Sequence, residues 1–405
     1  MHRLTRLIAA VTLLLLSTGP AGAAPPDPTD WDAVLRAARG QTVYWNAWAG
    51  EPRINEYVAW AAGQVASRHG VSVVHVKLSE TADAVARVLA EKAAGKVAGG
   101  SVDLIWINGE NFAAMKRSGL LFGPWAEALP NFALTDPANN PAVREDFTVP
   151  VEGYEAPWGK AQLVLMSDSA YVAEPPRNLS ALLDWARANP GRFAYPRPPD
   201  FLGSTFLKQA TLGLAVDTAP LYRPVDEAGF EAVTAPLWAW LDALHPLLWR
   251  GGRAFPPDGP ALRRLVGDSE LAIAPAFSAT EVAAAVLAGE LPAGVRTHGL
   301  DGGTIGNVNF LAIPFNATAK AGAMVLANFL LSPEAQARKH DPAVWGGETV
   351  LAVDRLAAPA RALFDGLDLG PAGLHPAAQG AVLPEPHPSW TERLETAWAA
   401  RYTAR

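Results

Sequence analysis

A short apolar run that turns abruptly polar, at residues 102–112, constrains this chain more than any other stretch. Its first half is almost continuously apolar, which is typical of a strand buried on both faces of a parallel sheet. In its second half, Gly109 can form a tight turn and Glu110 can open a helix. We therefore predict a buried strand whose carboxyl end presents Asn108, Glu110 and Asn111.

The segments before this strand alternate between strands and helices. A strand is predicted at 42–45, a helix from Pro52 to Gly70, a strand from Val71, and a helix at 81–94. Single helices between strands predict a parallel sheet with right-handed crossovers. Ligands bind at the carboxyl edge of such a sheet, where the residues after the first strand would join those after the third. The residues expected there from the first strand are Trp45, Asn46 and Trp48.

The same pattern restarts in the second half of the chain. Strands are predicted at 161–166 and 192–195, with a helix at 179–188 between them and another beginning near Phe201. Residues 123–157 lack periodicity, and we interpret them as a long surface excursion between the two halves. The predicted fold class is therefore α/β, with two doubly wound lobes joined by a hinge.

The predicted organisation divides the chain into an export signal and two lobes. Positive residues, an apolar core at 7–16 and a small-residue motif before Ala24 predict a signal peptide at 1–23, cleaved near Ala23 and Ala24. The mature protein is expected in the periplasm. Lobe I is predicted at 24–157, with 302–340 returning to it. Lobe II is predicted at 158–301, with part of 341–405 packing on it.

Composition excludes several classes of protein. The chain has no cysteine, which excludes disulfides, iron–sulfur clusters and thiolate zinc sites. Its eight histidines include no pair spaced for a metal on one helix face, and its net charge of −7 gives no basic footprint for nucleic acid. The tripeptide at 267–269 matches only a fragment of a lipase-type signature, without the context of a triad. We predict no catalytic residue, metal or cofactor.

The remaining signal is a set of aromatic and polar side chains at predicted strand ends. Aromatic rings offer flat apolar area and amides offer oriented donors and acceptors, which together suit a small organic ligand. Each aromatic residue alone is more typical of a core, and each polar residue is equally typical of a turn or helix cap, so the prediction depends on their convergence. The candidate ligand-binding residues are Trp45, Asn46, Trp48, Asn108, Glu110, Asn111, Trp158, Phe201, Ser204, Thr205, Phe277 and Asn309.

Glu110 adds an argument from charge. A carboxylate inside a closing cleft is costly unless it is paired, and a cationic ligand would supply the partner. Neighbouring rings would add a cation–π attraction of about 0.5–2 kcal/mol. The alternative is a solvated carboxylate at a helix start, where the helix dipole favours it.

Three segments carry a resemblance to a known family. They are residues 43–50 (VYWNAWAG), 75–81 (HVKLSET) and 99–112 (GGSVDLIWINGENF). They resemble the YnjB-like subfamily of the periplasmic solute-binding proteins of ABC importers. Segments 178–195 and 310–338 are similar to the beginning of lobe II and the returning segment of the larger, type II members. The resemblance covers essentially the whole mature chain.

The resemblance implies a type II periplasmic binding fold whose lobes close around a ligand by bending near 158–163 and 306–312. It implies a small-molecule ligand, thiamine or a similar cationic heterocycle, and a permease in the inner membrane as partner. We expect a monomer. A sugar is the alternative ligand, because rings also stack on sugars. The alternative from another class is a secreted hydrolase that uses Ser269 or a carboxylate pair.

Overall fold

The described part of the chain, residues 25–370, 372–373 and 380–403 of a computed structural model, alternates strands and helices. The predicted signal peptide at 1–23 lies outside it. The strands are β1 Thr42–Trp48, β2 Ser72–Leu78, β3 Leu104–Ile107, β4 Glu145–Asp146, β5 Val149–Pro150, β6 Glu155–Gln162, β7 Val164–Asp168, β8 Ile273–Ala276, β9 Val295–His298, β10 Thr304–Ala312 and β11 Val382–Leu383.

Helices connect many of these strands and pack on the six-stranded and three-stranded sheets. They are α1 Trp31–Ala38, α2 Pro52–His69, α3 Thr81–Ala93, α4 Gly109–Arg117, α5 Leu179–Ala188, α6 Phe201–Leu214, α7 Glu227–Leu244, α8 Gly259–Gly267, α9 Ala279–Leu287, α10 Lys320–Leu330, α11 Pro333–His340, α12 Ala358–Asp365 and a final helix, Pro388–Tyr402. None of the helices in the described ranges combines the length and the apolar character needed to cross a bilayer.

The larger, six-stranded sheet contains the parallel unit that the sequence predicts. Strand β1 pairs in parallel with β2 on one side and with β3 on the other, which confirms the β-α-β-α-β arrangement. Pro52 occupies the first turn of α2, and Gly70 caps its end in the left-handed region at φ 66°. Strand β10 runs antiparallel to β3 and to β6, so the sheet is mixed. This sheet and the helices that pack on it are called lobe I below.

The smaller sheet has three strands, and with its helices it is called lobe II. Strand β7 lies in the middle and pairs antiparallel with β8 and β9. The strand predicted at 192–195 was wrong, because Phe193 makes only an isolated bridge to Ile273. The Arg192 carbonyl accepts from the Ala272 amide at 2.9 Å, but Pro196 soon follows and cannot donate to a ladder.

The interpretation of 123–157 as a surface excursion was also wrong. Trp125, Phe132 and Phe147 from this segment are all at most 4% exposed, and the first two join the core of lobe I. Short 3-10 helices and the two-residue strands β4 and β5 organise its backbone. Irregular backbone gives no hydrophobic period, so its buried rings leave no sequence pattern.

The two lobes are joined by neighbouring strands of one sheet. Strand β6 pairs along β10 in lobe I, and after Leu163 the chain continues as β7 of lobe II. The Leu163 amide donates to the Ile305 carbonyl at 2.8 Å, so the connection stays next to β10. The lobe boundaries and the bending of these strands stay predictions.

One buried carboxylate fastens three elements of lobe I together. Asp103, 1% exposed, precedes β3 and accepts from the Tyr44 amide of β1 at 3.0 Å. Its other oxygen accepts from the amides of Thr318 and Ala319, before α10, at 2.8 Å each. Charge-assisted bonds of this kind are among the stronger ones in proteins.

We expect Asp103→Asn to lower the free energy of unfolding by about 2–4 kcal/mol, because an amide cannot replace a carboxylate that accepts from three amides. Urea unfolding of the full chain measures this loss. Asp301→Asn, at an exposed turn, is the control and should behave like the wild type. Equal stability of both variants would contradict the role given to Asp103.

Candidate functional site at the junction of the lobes

Four tryptophans, three from strands of the larger sheet and one from the segment after α11, form a cluster called the indole cluster here. The predicted end of the first strand at residue 45 was wrong, because β1 continues to Trp48 and Trp45 lies in its middle. Trp158 is the centre of the cluster, with ring centroids 5.6 Å from Trp45, 4.8 Å from Trp106 and 5.7 Å from Trp345. The first two contacts are edge-to-face, a favourable arrangement for aromatic pairs. Trp45 and Trp158 are fully buried, and neither indole nitrogen has a hydrogen-bond partner among the described residues.

A β-bulge places Trp158 in this cluster. Asn309 pairs with Gly159 and Phe310 with Pro157, so Trp158 is the extra residue between two paired positions. Bulges re-aim a side chain and leave its backbone outside the ladder. The freed Trp158 carbonyl accepts from the Gln336 side chain at 2.7 Å and from the Lys339 ammonium, both on α11.

Three phenylalanines form a second cluster, the phenylalanine cluster, with members from both lobes. Phe201 lies 6.4 Å from Phe147 and 5.2 Å from Phe277, between ring centroids. Phe147 packs directly on Gly109, where an added Cβ would lie 2.8 Å from the ring. Gly109 also has φ 61°, so both conformation and space require glycine, as the predicted turn implied.

A short set of hydrogen bonds connects the two aromatic clusters. The Gly346 carbonyl, next to Trp345, accepts from the Thr280 hydroxyl at 2.6 Å and from the Ser278 hydroxyl at 3.3 Å. Ser278 follows Phe277 and also caps α9 by accepting from the Glu281 amide. The aromatic candidates Trp45, Trp158, Phe201 and Phe277 therefore lie around one junction between the lobes.

Charged side chains lie beside the phenylalanine cluster. Glu110 accepts from the side-chain amide of Asn111 at 3.2 Å, while its second carboxylate oxygen is buried without a hydrogen-bond partner among the described residues. Lys208, 1% exposed, is 2.6 Å from Glu385. The Ser204 hydroxyl donates to Glu395 at 2.5 Å. Burial raises the pKa of Glu110 to about 7, although the nearby Lys208 ammonium opposes the shift.

Two further carboxyl groups lie behind Phe147. Asp146 and Glu155 are at most 1% exposed, and burial raises the pKa of both well above the ordinary range. The Gly109 amide donates to Asp146 at 2.8 Å, which ties the turn after β3 to the segment that carries Phe147. A buried carboxyl of raised pKa is neutral near pH 7, which limits the cost of burying it.

Ion pairs cross the junction on its other side. Arg263 of α8 contacts Glu51, in the loop after β1, and lies 2.8 Å from Glu281 of α9. Glu51 and Arg263 are only 6% and 8% exposed. Arg53 pairs with Glu290 nearby. Lobe I and lobe II are therefore in direct contact through buried charges.

The other predicted site residues are less clearly part of these clusters. Asn46 is fully buried and donates to the Tyr44 carbonyl at 3.3 Å, and Trp48 is half-buried against the core of lobe I. Asn108 occupies the cap position of α4, but its side chain makes no cap hydrogen bond. Thr205 is 1% exposed on α6, and Asn309 lies opposite Gly159.

Sequence reasoning missed several residues of the junction. Lys208 had a usable signal, since it is the one charged residue in an otherwise uncharged helix, α6. Glu385 lies between two prolines and Glu395 on the final helix, both far along the chain from Glu110. Phe147 and Trp345 come from irregular segments and had no such signal.

Two surface hollows lie away from this junction. One, of about 530 Å³, is lined by residues 27–29 and by others around Trp125 and Gly153. The other, of about 350 Å³, lies beside Phe230 and the final helix. Neither contains a predicted site residue. Within the described ranges, no group of acidic or histidine side chains is arranged to hold a metal.

A comparison with known families identifies the class of protein. The chain belongs to the bacterial extracellular solute-binding proteins, whose family model matches residues 60–347. Protein YnjB of Escherichia coli (strain K12) is 44% identical over 374 residues, which cover 92% of this chain and 94% of that protein. The resemblance predicted from the three sequence segments is confirmed. The family consists of solute-binding proteins rather than enzymes.

Solved structures confirm the fold class. The periplasmic binding protein AfuA of Actinobacillus pleuropneumoniae has a TM-score of 0.64 at 13% identity, over 90% of this chain and 99% of that one. The substrate-binding protein PotD of a Streptococcus pneumoniae ABC transporter has a TM-score of 0.60 at 14% identity, over 90% and 99%. At these identities the likeness concerns the fold, that of type II periplasmic binding proteins.

We expect Glu110→Gln to reduce the pH dependence of stability. The pKa of the Glu110 carboxyl is about 4.5 in the unfolded chain and about 7 in the folded chain. Between pH 4.5 and 7 the group therefore keeps its proton only in the folded chain. Stability therefore falls as pH rises from about 4.5 to 7, and this loss is absent in the amide variant. Between pH 5 and 7 the wild type should lose about 2 kcal/mol more than the variant in urea unfolding. Glu56→Gln, at an exposed position on α2, should match the wild type.

We expect Arg263→Gln to separate the lobes, because it leaves the Glu51 carboxylate buried without its partner at a cost of about 3–5 kcal/mol. Small-angle X-ray scattering should show a larger radius of gyration. The exposed neighbour Arg264, changed to Gln, is the control. Adding Glu51→Gln to the first variant should restore the wild-type radius. An unchanged radius in Arg263→Gln would show that these charges do not hold the lobes together.

Proposed function

We propose that this protein captures a small organic ligand at the junction of its lobes and delivers it to the permease of an ABC importer in the inner membrane. The observation that carries the proposal is the convergence of two aromatic clusters and a buried carboxylate where the lobes meet. Concave sites with aromatic walls and a few placed polar groups are the usual form of small-molecule sites. Export through the predicted signal peptide at 1–23 would bring the protein to the periplasm.

Ligand capture would proceed by bending at β6 and β10. Phe147 and Glu110 belong to one wall, and Phe201 and Phe277 to the other, so parting the lobes would expose rings and carboxylate together. Arg263 and its partners would favour the closed arrangement. A ligand shifts such an equilibrium only through its different affinity for the two forms, which here would come from contacts with both walls.

We propose a cationic ligand, such as thiamine or a similar heterocycle. The ammonium of Lys208 interacts with three acids, Glu110, Glu385 and Glu395. Rings of the phenylalanine cluster lie next to this ammonium. PotD is a spermidine/putrescine binding protein, which fits a positive ligand, whereas AfuA was solved with fructose-6-phosphate bound, which keeps a sugar as the second candidate. The proposed contact residues are the twelve predicted from the sequence.

A secreted hydrolase is the alternative from another class. Ser269, its candidate nucleophile, lies in the turn after α8 with φ 57°, and its carbonyl accepts from Arg192. Membership in a solute-binding family favours transport over this alternative. Loss of a measured hydrolysis in Ser269→Ala would reverse that preference.

We expect thiamine to raise the melting temperature of the wild type, because a ligand that binds only the folded state stabilises it by mass action. Trp45→Ala and Glu110→Ala should remain folded and weaken binding at least tenfold in a titration, through loss of a ring wall and of the countercharge. Trp249→Ala, outside both aromatic clusters, should bind normally. Spermidine and fructose 6-phosphate should be screened in parallel. If Trp45→Ala and Glu110→Ala both bind like the wild type, the site lies elsewhere.

A further inference from the structure

The ammonium of Lys208 lies in a cage of aromatic faces and carboxylates. It is 4.3 Å from the ring centroid of Phe147, 5.7 Å from that of Phe201 and 2.6 Å from Glu385. These distances fall within the range of cation–π attraction. Glu110 and Glu395 also interact electrostatically with this ammonium. We call these six residues the ammonium cage.

The cage is assembled from both lobes and from the end of the chain. Helix α6 of lobe II contributes Lys208 and Phe201, while the turn between β4 and β5 in lobe I contributes Phe147. Glu110 comes from α4, and Glu385 and Glu395 from the last segment, whose helix packs on both α4 and α6. The lysine of lobe II is therefore contacted by a ring and an acid of lobe I, by a ring of its own helix and by two acids of the last segment.

The helix that carries Lys208 lies in the interior of the protein, so its side chain has no route to the surface. Helix α6 is buried through almost its whole length, from Leu202 to Leu212. Buried lysine is rare without a partner, because removing an ammonium from water is costly. The surrounding rings and carboxylates supply that partner, so the cage is built for a positive charge.

We propose that the ammonium cage is a cation-binding subsite of the cleft and that Lys208 is its tethered occupant, which a ligand carrying an ammonium or a similar cationic nitrogen must displace. When the lobes part, Phe147 and Glu110 move away from Lys208 and the acids become accessible. Lys208 thus competes with the ligand. A ligand binds only if the cage holds its cationic group more tightly than it holds the lysine ammonium. The use of the subsite in transport depends on the proposed function, but the cation selectivity of the cage does not.

Chemical rescue tests the cage directly. In Lys208→Ala the missing fragment is propylammonium, so we expect the variant to be less stable than the wild type and to be stabilised again by propylammonium chloride. With half-saturation at about 10 mM, a concentration of about 100 mM should raise its melting temperature by roughly 1–3 °C. The wild type, whose cage is filled by its own lysine, should not respond beyond the effect of equal sodium chloride.

Lys92→Ala is the matched control, since Lys92 also lies over a ring, that of Phe315 at 5.8 Å, but on the surface. It should not respond to propylammonium. An equal response of Lys208→Ala, Lys92→Ala and the wild type, or no response of the first, would overturn the proposal.

A second pair of variants keeps the test decisive if Lys208→Ala does not fold. Lys208→Met retains the stem without the charge, and adding Glu385→Gln should raise its melting temperature, because an unpaired buried carboxylate is removed. If the double variant is no more stable than Lys208→Met alone, the cage does not depend on charge and the proposal fails. Failure of thiamine to stabilise the wild type would contradict the proposed ligand and leave the propylammonium result unchanged.

Discussion

The antiparallel pairing of β6 with β10 is the constraint on which the rest of the structure depends. Strand β6 leads from lobe I into β7 of lobe II, and β10 follows β9 of lobe II back into lobe I, so the chain passes between the lobes along this pair of strands. The bulge at Trp158 interrupts this pair where the indole cluster forms. Because these two neighbouring strands carry the chain between the lobes, we expect the proposed closing motion to occur by bending here.

Buried charge is the second determinant of the junction. Arg263 with Glu51 and Glu281, and Lys208 with Glu385, are ion pairs between parts of the chain that are distant in sequence. Such pairs gain little net stability over apolar packing, but removal of one partner is strongly unfavourable. The contact between the lobes therefore depends on keeping both partners of these pairs in place.

The parallel unit β2-β1-β3, helix α4 and the turn at Gly109 were predictable, because hydrophobic period, capping residues and glycine conformation are all local. Trp45 could be assigned to this unit because β1 belongs to it, whereas Trp158 reaches the same cluster through the pairing of β6 with β10 and the bulge in it. Phe147, Glu385 and Glu395 could not, since they come from irregular or distant segments whose placement is decided by tertiary packing. The strand predicted at 192–195 does not form for a similar reason. Phe193 makes only a single bridge to β8, and the proline that follows prevents further pairing, although the run is apolar.

The fold alone leaves the ligand open, because structures that share it at 13–14% identity include one solved with a sugar phosphate and one named for polyamines. Discrimination between such ligands must therefore arise from side chains, and here the chain-end segment matters as much as the sheet edge. Glu385 and Glu395 bring two acids to a wall that would otherwise hold Glu110 alone against Lys208. A cation placed there would meet rings and acids, whereas an anion would meet like charge, and this contrast is the basis of the proposed cationic ligand.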